Sequence, residues 1–186
     1  MFFLIQKWRE QNRKRRQQLA LCHAIYHGGF EQIRKLVEDG LDLDFVRDGF
    51  SPLSVAVSSI DNWRPDGRKI VDYLIEHGAS PRNSGNDGLL SIAARVGEHD
   101  LIDLALAAGH DIHFCRKQCT TPLQSAAFRN KAETMKYLIE KGSAKEDFDV
   151  TRCSWARLNA ATITVLLDLG VDVPGEIAGY VKTGKW

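Results

Sequence analysis

One spacing constrains this chain more than any other feature. From Leu21 to Gly40, from Leu90 to Gly109 and from Leu123 to Gly142 the interval is 19 positions, and from Leu90 to Leu123 the full period is 33. A fourth pair, Leu53 and Gly78, stands 25 apart, which is the same interval with six residues inserted in "SSIDNWRPDGRK". Self-similarity at such a period marks a repeat array, in which each unit buries its apolar face only by stacking on a neighbour, and function is expected on a surface instead of in a pocket.

Inside each interval the same local physics recurs. "SPLSVAV" (Ser51 to Val57) and "TPLQSAA" (Thr121 to Ala127) each place a proline where a helix begins, at a position whose N–H has no partner inside the helix and whose φ suits it. A first short helix carries small residues for close approach, at 23–25, 55–57, 92–94 and 125–127. A second helix has apolar residues at i, i+3, i+4 spacing: Ile33, Leu36 and Val37; Ile70, Tyr73, Leu74 and Ile75; Leu101, Leu104 and Ala105; Met135, Leu138 and Ile139. It ends in "EDG", "EHG", "AAG" or "EKG", where glycine supplies a left-handed residue. His77 in "EHG" is read as a helix C-terminal residue favoured by the dipole.

"DGFSPLSVAV" with "IVDYLIEHGASP", and "TTPLQSAAFRNKAETMKYLIEKGSA", resemble ankyrin repeats, whose helix start is T-P-L-H-x-A within 33 residues. The resemblance covers about residues 19–173 and implies an all-α fold: a solenoid of stacked antiparallel helix pairs with projecting hairpin fingers. The units fall at about 19–47, 48–83, 84–116, 117–149 and 150–173, between an arm or capping helix at 1–18 and a C-terminal cap at 174–186. The family's histidine is replaced by Cys22, Ser54, Ser91 and Gln124, so its hydrogen bonds to the finger backbone are weakened or rebuilt. The fifth unit pairs Thr151 with Gly170, has "ITVLLDLG" as its second helix, and has a finger five residues short.

Charge divides the chain. Residues 1–16 carry six Lys or Arg against Glu10, leaving 19 basic and 23 acidic residues in the remainder. The start, "MFFLIQKW", is too short to span a bilayer, and its cations follow the apolar run where an export signal would put them first. With four irregularly spaced cysteines, the expected location is the cytoplasm. The arm supports three readings. It can run as one helix into the first unit with Phe2, Phe3, Ile5 and Trp8 folding back to cap the stack, rest on an anionic membrane surface, or contact nucleic acid.

None of the phosphate-loop, dinucleotide, zincin or nucleophile-elbow motifs occurs, so neither an enzyme activity nor a cofactor or small-molecule substrate is assigned. "HDIHFCRKQC" offers His110, His113, Cys115 and Cys119 but lacks paired C-x2-C spacing. No metal is assigned, and the segment is read as a finger with reduced thiols, with zinc or a redox-sensitive disulfide as alternatives.

Partner-binding positions follow from the resemblance, since ankyrin repeats use finger tips and the two residues after the small pair. The fingers give Arg47, Asp48 and Phe50, then Ser84 and Asp87, then Lys117, Gln118 and Thr120. The first helices give Tyr26 and His27, Ser58 and Ser59, Arg95 and Val96, Phe128 and Arg129, and the insertion adds Trp63 and Arg64. Tyr26, Phe50, Phe128, Arg95 and Arg129 are the anchor candidates, because aromatic and Arg side chains dominate interface energetics. The expected function is a non-catalytic module, a monomer when unbound, that occludes or scaffolds one protein partner, as small stand-alone ankyrin proteins such as bacterial immunity proteins do. The alternative is a membrane-surface or nucleic-acid adaptor working through the basic arm.

Overall fold

The computed structural model describes residues 1–60, 66–83, 88–114 and 120–183. Trp63, Arg64, Ser84, Asp87, Cys115, Lys117, Gln118 and Cys119 lie outside the described residues. Ten α-helices are described: α1 Phe2–His27, α2 Phe30–Glu38, α3 Pro52–Ile60, α4 Gly67–Glu76, α5 Leu89–Val96, α6 His99–Ala107, α7 Pro122–Phe128, α8 Ala132–Glu140, α9 Ala160–Asp168 and α10 Gly175–Thr183. They fall into two bodies, Met1–Gly85 and Asn86–Trp186.

In the first body α1 packs on α2 and α3, and α3 on α4; in the second, α5 packs on α6 and α7, α7 on α8, α8 on α9 and α9 on α10. The helix pairing follows from the repeated sequence. Pro52 and Pro122 each stand at the first position of a helix, and the Thr121 hydroxyl oxygen accepts the Gln124 N–H to cap α7. Each second helix stops in the same way: Gly40, Gly78, Gly109, Gly142 and Gly170 all have positive φ. At Gly40, its N–H donates to the Val37 carbonyl and the Leu41 N–H to that of Leu36, and the same pair of bonds recurs at each of the other four glycines.

The small pairs are buried as expected: Ala24 with Ile25, Ala56 with Val57, Ala93 with Ala94, and Ala126 with Ala127. The second helices bury Ile33, Ile70, Leu74, Leu101, Ala105, Met135 and Leu138, while Leu36, Val37, Tyr73, Ile75, Leu104 and Ile139 are half-buried at the edge of the apolar stripe.

Four features depart from the sequence-based expectation. The first helices end in a left-handed residue too, Gly28, Gly97 and Asn130, seven positions after Leu21, Leu90 and Leu123. Asn130 tolerates φ 56 because its side chain is held: its amide donates to the Arg157 carbonyl at 2.9 Å and its oxygen accepts the Asn159 N–H at 2.6 Å. Gly67, within the inserted "SSIDNWRPDGRK", already belongs to a helix as the first residue of α4, and a Cβ there would stand 3.0 Å from the Ile60 Cα. The fifth repeat has α9 as its second helix, but two 3₁₀ turns, Val150–Arg152 and Trp155–Arg157, stand in place of its first. The arm is continuous with α1, and Phe3, Ile5 and Trp8 do not fold back over the repeats, since all three are exposed.

Candidate protein-docking surface

In the first body the finger after α2 is a tight hairpin. The Arg47 N–H donates to the Phe50 carbonyl at 2.8 Å, and the Phe50 N–H to the Arg47 carbonyl at 2.9 Å. Asp48 and Gly49 have φ 51 and 89, the two positive values that a type I′ turn demands and that Asp-Gly supplies. Phe50 and Asp48 are exposed at this tip, whereas the Arg47 side chain is largely withdrawn, its Nε 3.6 Å from Asp48. Arg47 also acts electrostatically on Cys22, whose thiol burial nevertheless pushes up. At the end of α1, Tyr26 meets His27 edge-on at 5.2 Å and His27 meets His23 at 4.1 Å, so three exposed rings form one cluster.

His77, beside the stop of α4, directs Nδ1 at the Tyr73 carbonyl at 2.8 Å and lies 4.0 Å from the Tyr73 ring. This agrees with its assignment to the helix C-terminus.

In the second body Phe128 and Arg129 are exposed at the end of α7, and Arg95 is half-buried on α5. Three positions expected on the surface turn inward. Val96 and Ser59, the latter in the first body, are buried, and the Ser59 hydroxyl donates to the Val55 carbonyl one turn back. Thr120 is half-buried: its carbonyl accepts the Ser91 hydroxyl at 3.1 Å, and its own hydroxyl bonds that of Ser125.

The missing histidines are replaced by rebuilt networks. Gln124, almost wholly buried, reaches the turn that leads from α8 into the fifth repeat: its Oε1 accepts the Asp149 N–H at 2.6 Å and its Nε2 donates to the Asp149 carbonyl at 3.4 Å. Ser54 closes a reciprocal pair with Ser51, and Ser91 reaches Thr120. Gln124→Ala is expected to cost about 1–3 kcal/mol by stranding both backbone partners. Gln124→His is expected to recover part of that, and urea melts of the two variants compare them.

Between repeats four and five a short 3₁₀ turn, Lys145–Asp147, stands where a hairpin was expected. It is closed by the buried Asp147 carboxylate, which accepts the Ala144 N–H at 2.8 Å and lies 3.0 Å from His113 Nδ1 through both oxygens. The Asp147 hydrogen bond, followed by its charge, raises the His113 pKa. A histidine raised in the folded state contributes stability that is fully present below its unfolded value of about 6.5 and lost as pH climbs through the folded one. NMR titration of His113 is therefore expected to give a pKa above the ordinary histidine range, falling back in Asp147→Asn; equal values in the two proteins would contradict the contact.

A second cluster, not foreseen from sequence, joins α6 to α8. His99 stacks on Tyr137 at 4.2 Å, the Tyr137 hydroxyl donates to Asp103 at 2.6 Å, and Lys141 pairs with Asp103 at 2.8 Å. Hydrogen bonds from Lys141 and then Tyr137 hold the Asp103 carboxyl below its usual range. Each partner is ordinary in sequence; only the pairing of two helices brings them together.

Among the described residues no group of three or more His, Cys, Asp or Glu side chains is placed to hold a metal ion, and no helix is long and apolar enough to cross a membrane. Burial pushes the Cys153 thiol up to about 11, so it is a poor nucleophile.

Paired helices with the same stop, the same small buried contact and the same period define an α-helical repeat protein. Residues 90–174 match the family model described as ankyrin repeats, in three copies. Residues 90–174 therefore carry ankyrin repeats, a family whose repeats serve as protein–protein interaction modules and are generally non-catalytic. Over 77 residues it is 38% identical to alpha-latrocrustotoxin-Lt1a of Latrodectus tredecimguttatus, covering 40% of this chain and 5% of that protein. Over 123 residues it is 28% identical to tyrosine-protein kinase HTK16 of Hydra vulgaris, covering 59% of this chain and 16% of that one. The chain thus spans a small fraction of the length of these curated relatives.

Proposed function

We propose that the protein binds a single protein partner through its first-helix ends and fingers and thereby occludes or scaffolds it. One observation carries this. Tyr26 and Phe128 occupy the same register position, five residues after Leu21 and Leu123, and both are exposed, at 58% and 39%. Phe50, at 36%, adds a third aromatic on the finger. Helix packing does not require these rings, and rings with neighbouring Arg side chains are the residue types that concentrate binding energy. Arg95 holds the same register position on α5, five residues after Leu90, and Arg129 follows Phe128, while His27 follows Tyr26 and Arg47 and Asp48 share the finger with Phe50. Nothing on this surface marks the partner as a toxin, so immunity to one is not part of the proposed function.

Affinity capture from the native lysate at physiological and high salt tests this. The expected result is one protein retained at both salt concentrations, since a packed apolar interface is weakly screened, and lost in Phe50→Ala, Phe128→Ala, Arg129→Ala. Retention of the same protein by that variant would overturn the assignment.

A further inference from the structure

The opening two turns or so of α1 are idle in the fold. From Phe3 to Gln11 every side chain is exposed, including Phe3 at 75%, Leu4 at 68%, Ile5 at 44% and Trp8 at 64%. Four large apolar side chains within six residues, left in water, are not a cap for the repeats. Among and beyond them Lys7, Arg9, Arg13, Lys14, Arg15 and Arg16 are all exposed, and of these Lys14 has a loose ion pair with Asp42, at 3.6 Å.

We propose that this arm is a reversible docking site for an anionic phospholipid surface, separate from the protein-binding face. The four apolar side chains are grouped within about 7–8 Å of helix axis, from Phe3 to Trp8, a cluster compact enough to enter the headgroup–acyl boundary together, where interfacial helices bury apolar side chains roughly 5–10 Å deep. Trp8 stands at the boundary between apolar and cationic turns, where tryptophan's amphipathic ring is favoured at a membrane interface. The cations from Lys7 to Arg16 then lie at headgroup level, each contributing to attraction by an anionic leaflet. Charge complementarity selects this occupant: the arm is net positive while the rest of the chain holds 23 acidic against 19 basic residues, so an anionic surface attracts the arm and repels the remainder. A nucleic-acid site would use the cations but leave the apolar wedge unexplained.

Flotation with vesicles of phosphatidylcholine alone, and of phosphatidylcholine with about one third phosphatidylserine, tests the site on the intact chain. The expected result is binding to the anionic vesicles only. Removing three cations (Arg13→Gln, Arg15→Gln, Arg16→Gln) is expected to weaken it roughly a hundredfold. Removing the wedge at constant charge (Leu4→Ser, Trp8→Ser) is expected to weaken it by at least about tenfold. These side chains are exposed, so unchanged thermal melts check that the fold is intact. No binding to anionic vesicles, or full binding by the wedge variant, would overturn the proposal. So would tighter binding to a single-stranded RNA probe than to vesicles, with the wedge variant unaffected.

Discussion

Leu123→Ala is expected to destabilise the second body by about 3–5 kcal/mol, because it deletes three carbons from a side chain with 0% exposure and leaves a cavity that rigid neighbours do not fill. Leu123 follows the proline that opens α7, and α7 is the element shared by α5 on one side and α8 on the other. A repeat array draws its stability from such nearest-neighbour interfaces, so the loss is felt by repeat three as well as four. For a chain of this size each kcal/mol moves the melting midpoint by about 2–4 °C, which predicts a drop of roughly 6–20 °C. Thermal and urea melts read it directly. A shift as small as that of a surface variant would mean that α7 is not the structural centre of its body.

Phe128→Ala with Arg129→Ala is expected to do the reverse, sparing the melt and removing affinity. Both side chains are exposed, so truncating them opens no cavity in the core. Central aromatic and Arg anchors each cost about 2 kcal/mol or more when truncated, so the pair is expected to weaken the complex by a hundredfold or more, though such losses are not strictly additive. Tyr26→Ala with Phe50→Ala provides the matching pair in the first body and is expected to act in the same direction. Calorimetric titration of the purified partner gives the affinities of the two double variants and of the unsubstituted protein. Equal affinities alongside unchanged melts would place the contact elsewhere.

The features most legible in the sequence were those set by local chemistry. Proline at a helix start, glycine in the left-handed conformation at each second-helix end and the buried small pairs all depend on residues within one turn of one another, and all appear where the spacing places them. Features that depend on another element were less legible. Ser59 and Val96 share a register column with His27 and Arg129, yet they face inward, Ser59 satisfying its hydroxyl on Val55. Asn130 stands where Gly28 and Gly97 do, and its tolerance of positive φ comes from Arg157 and Asn159, nearly thirty residues away. The fifth repeat was visible through α9, but nothing local announced that two 3₁₀ turns would replace its first helix. The loss of the family's histidine was plain in the sequence, while the compensation through Gln124 and the Asp149 backbone required the turn after α8, some 25 residues on, to be in place.

The same division holds for the candidate surface. The resemblance supplied Tyr26, Phe50 and Phe128, and their exposure agrees with a docking role. Thr120 and Arg47 fit it less well, because one holds the adjoining turn together and the other lies back from the fingertip.

Hydrogen exchange on the chain with and without its captured partner tests the central claim most directly. Protection is predicted at the ends of α1 and α7 and at the finger from Arg47 to Phe50, with α2, α6 and α8 unchanged. Protection confined to those second helices, or to α1 between Phe3 and Arg16, would contradict a partner-binding face built from first-helix ends and fingers.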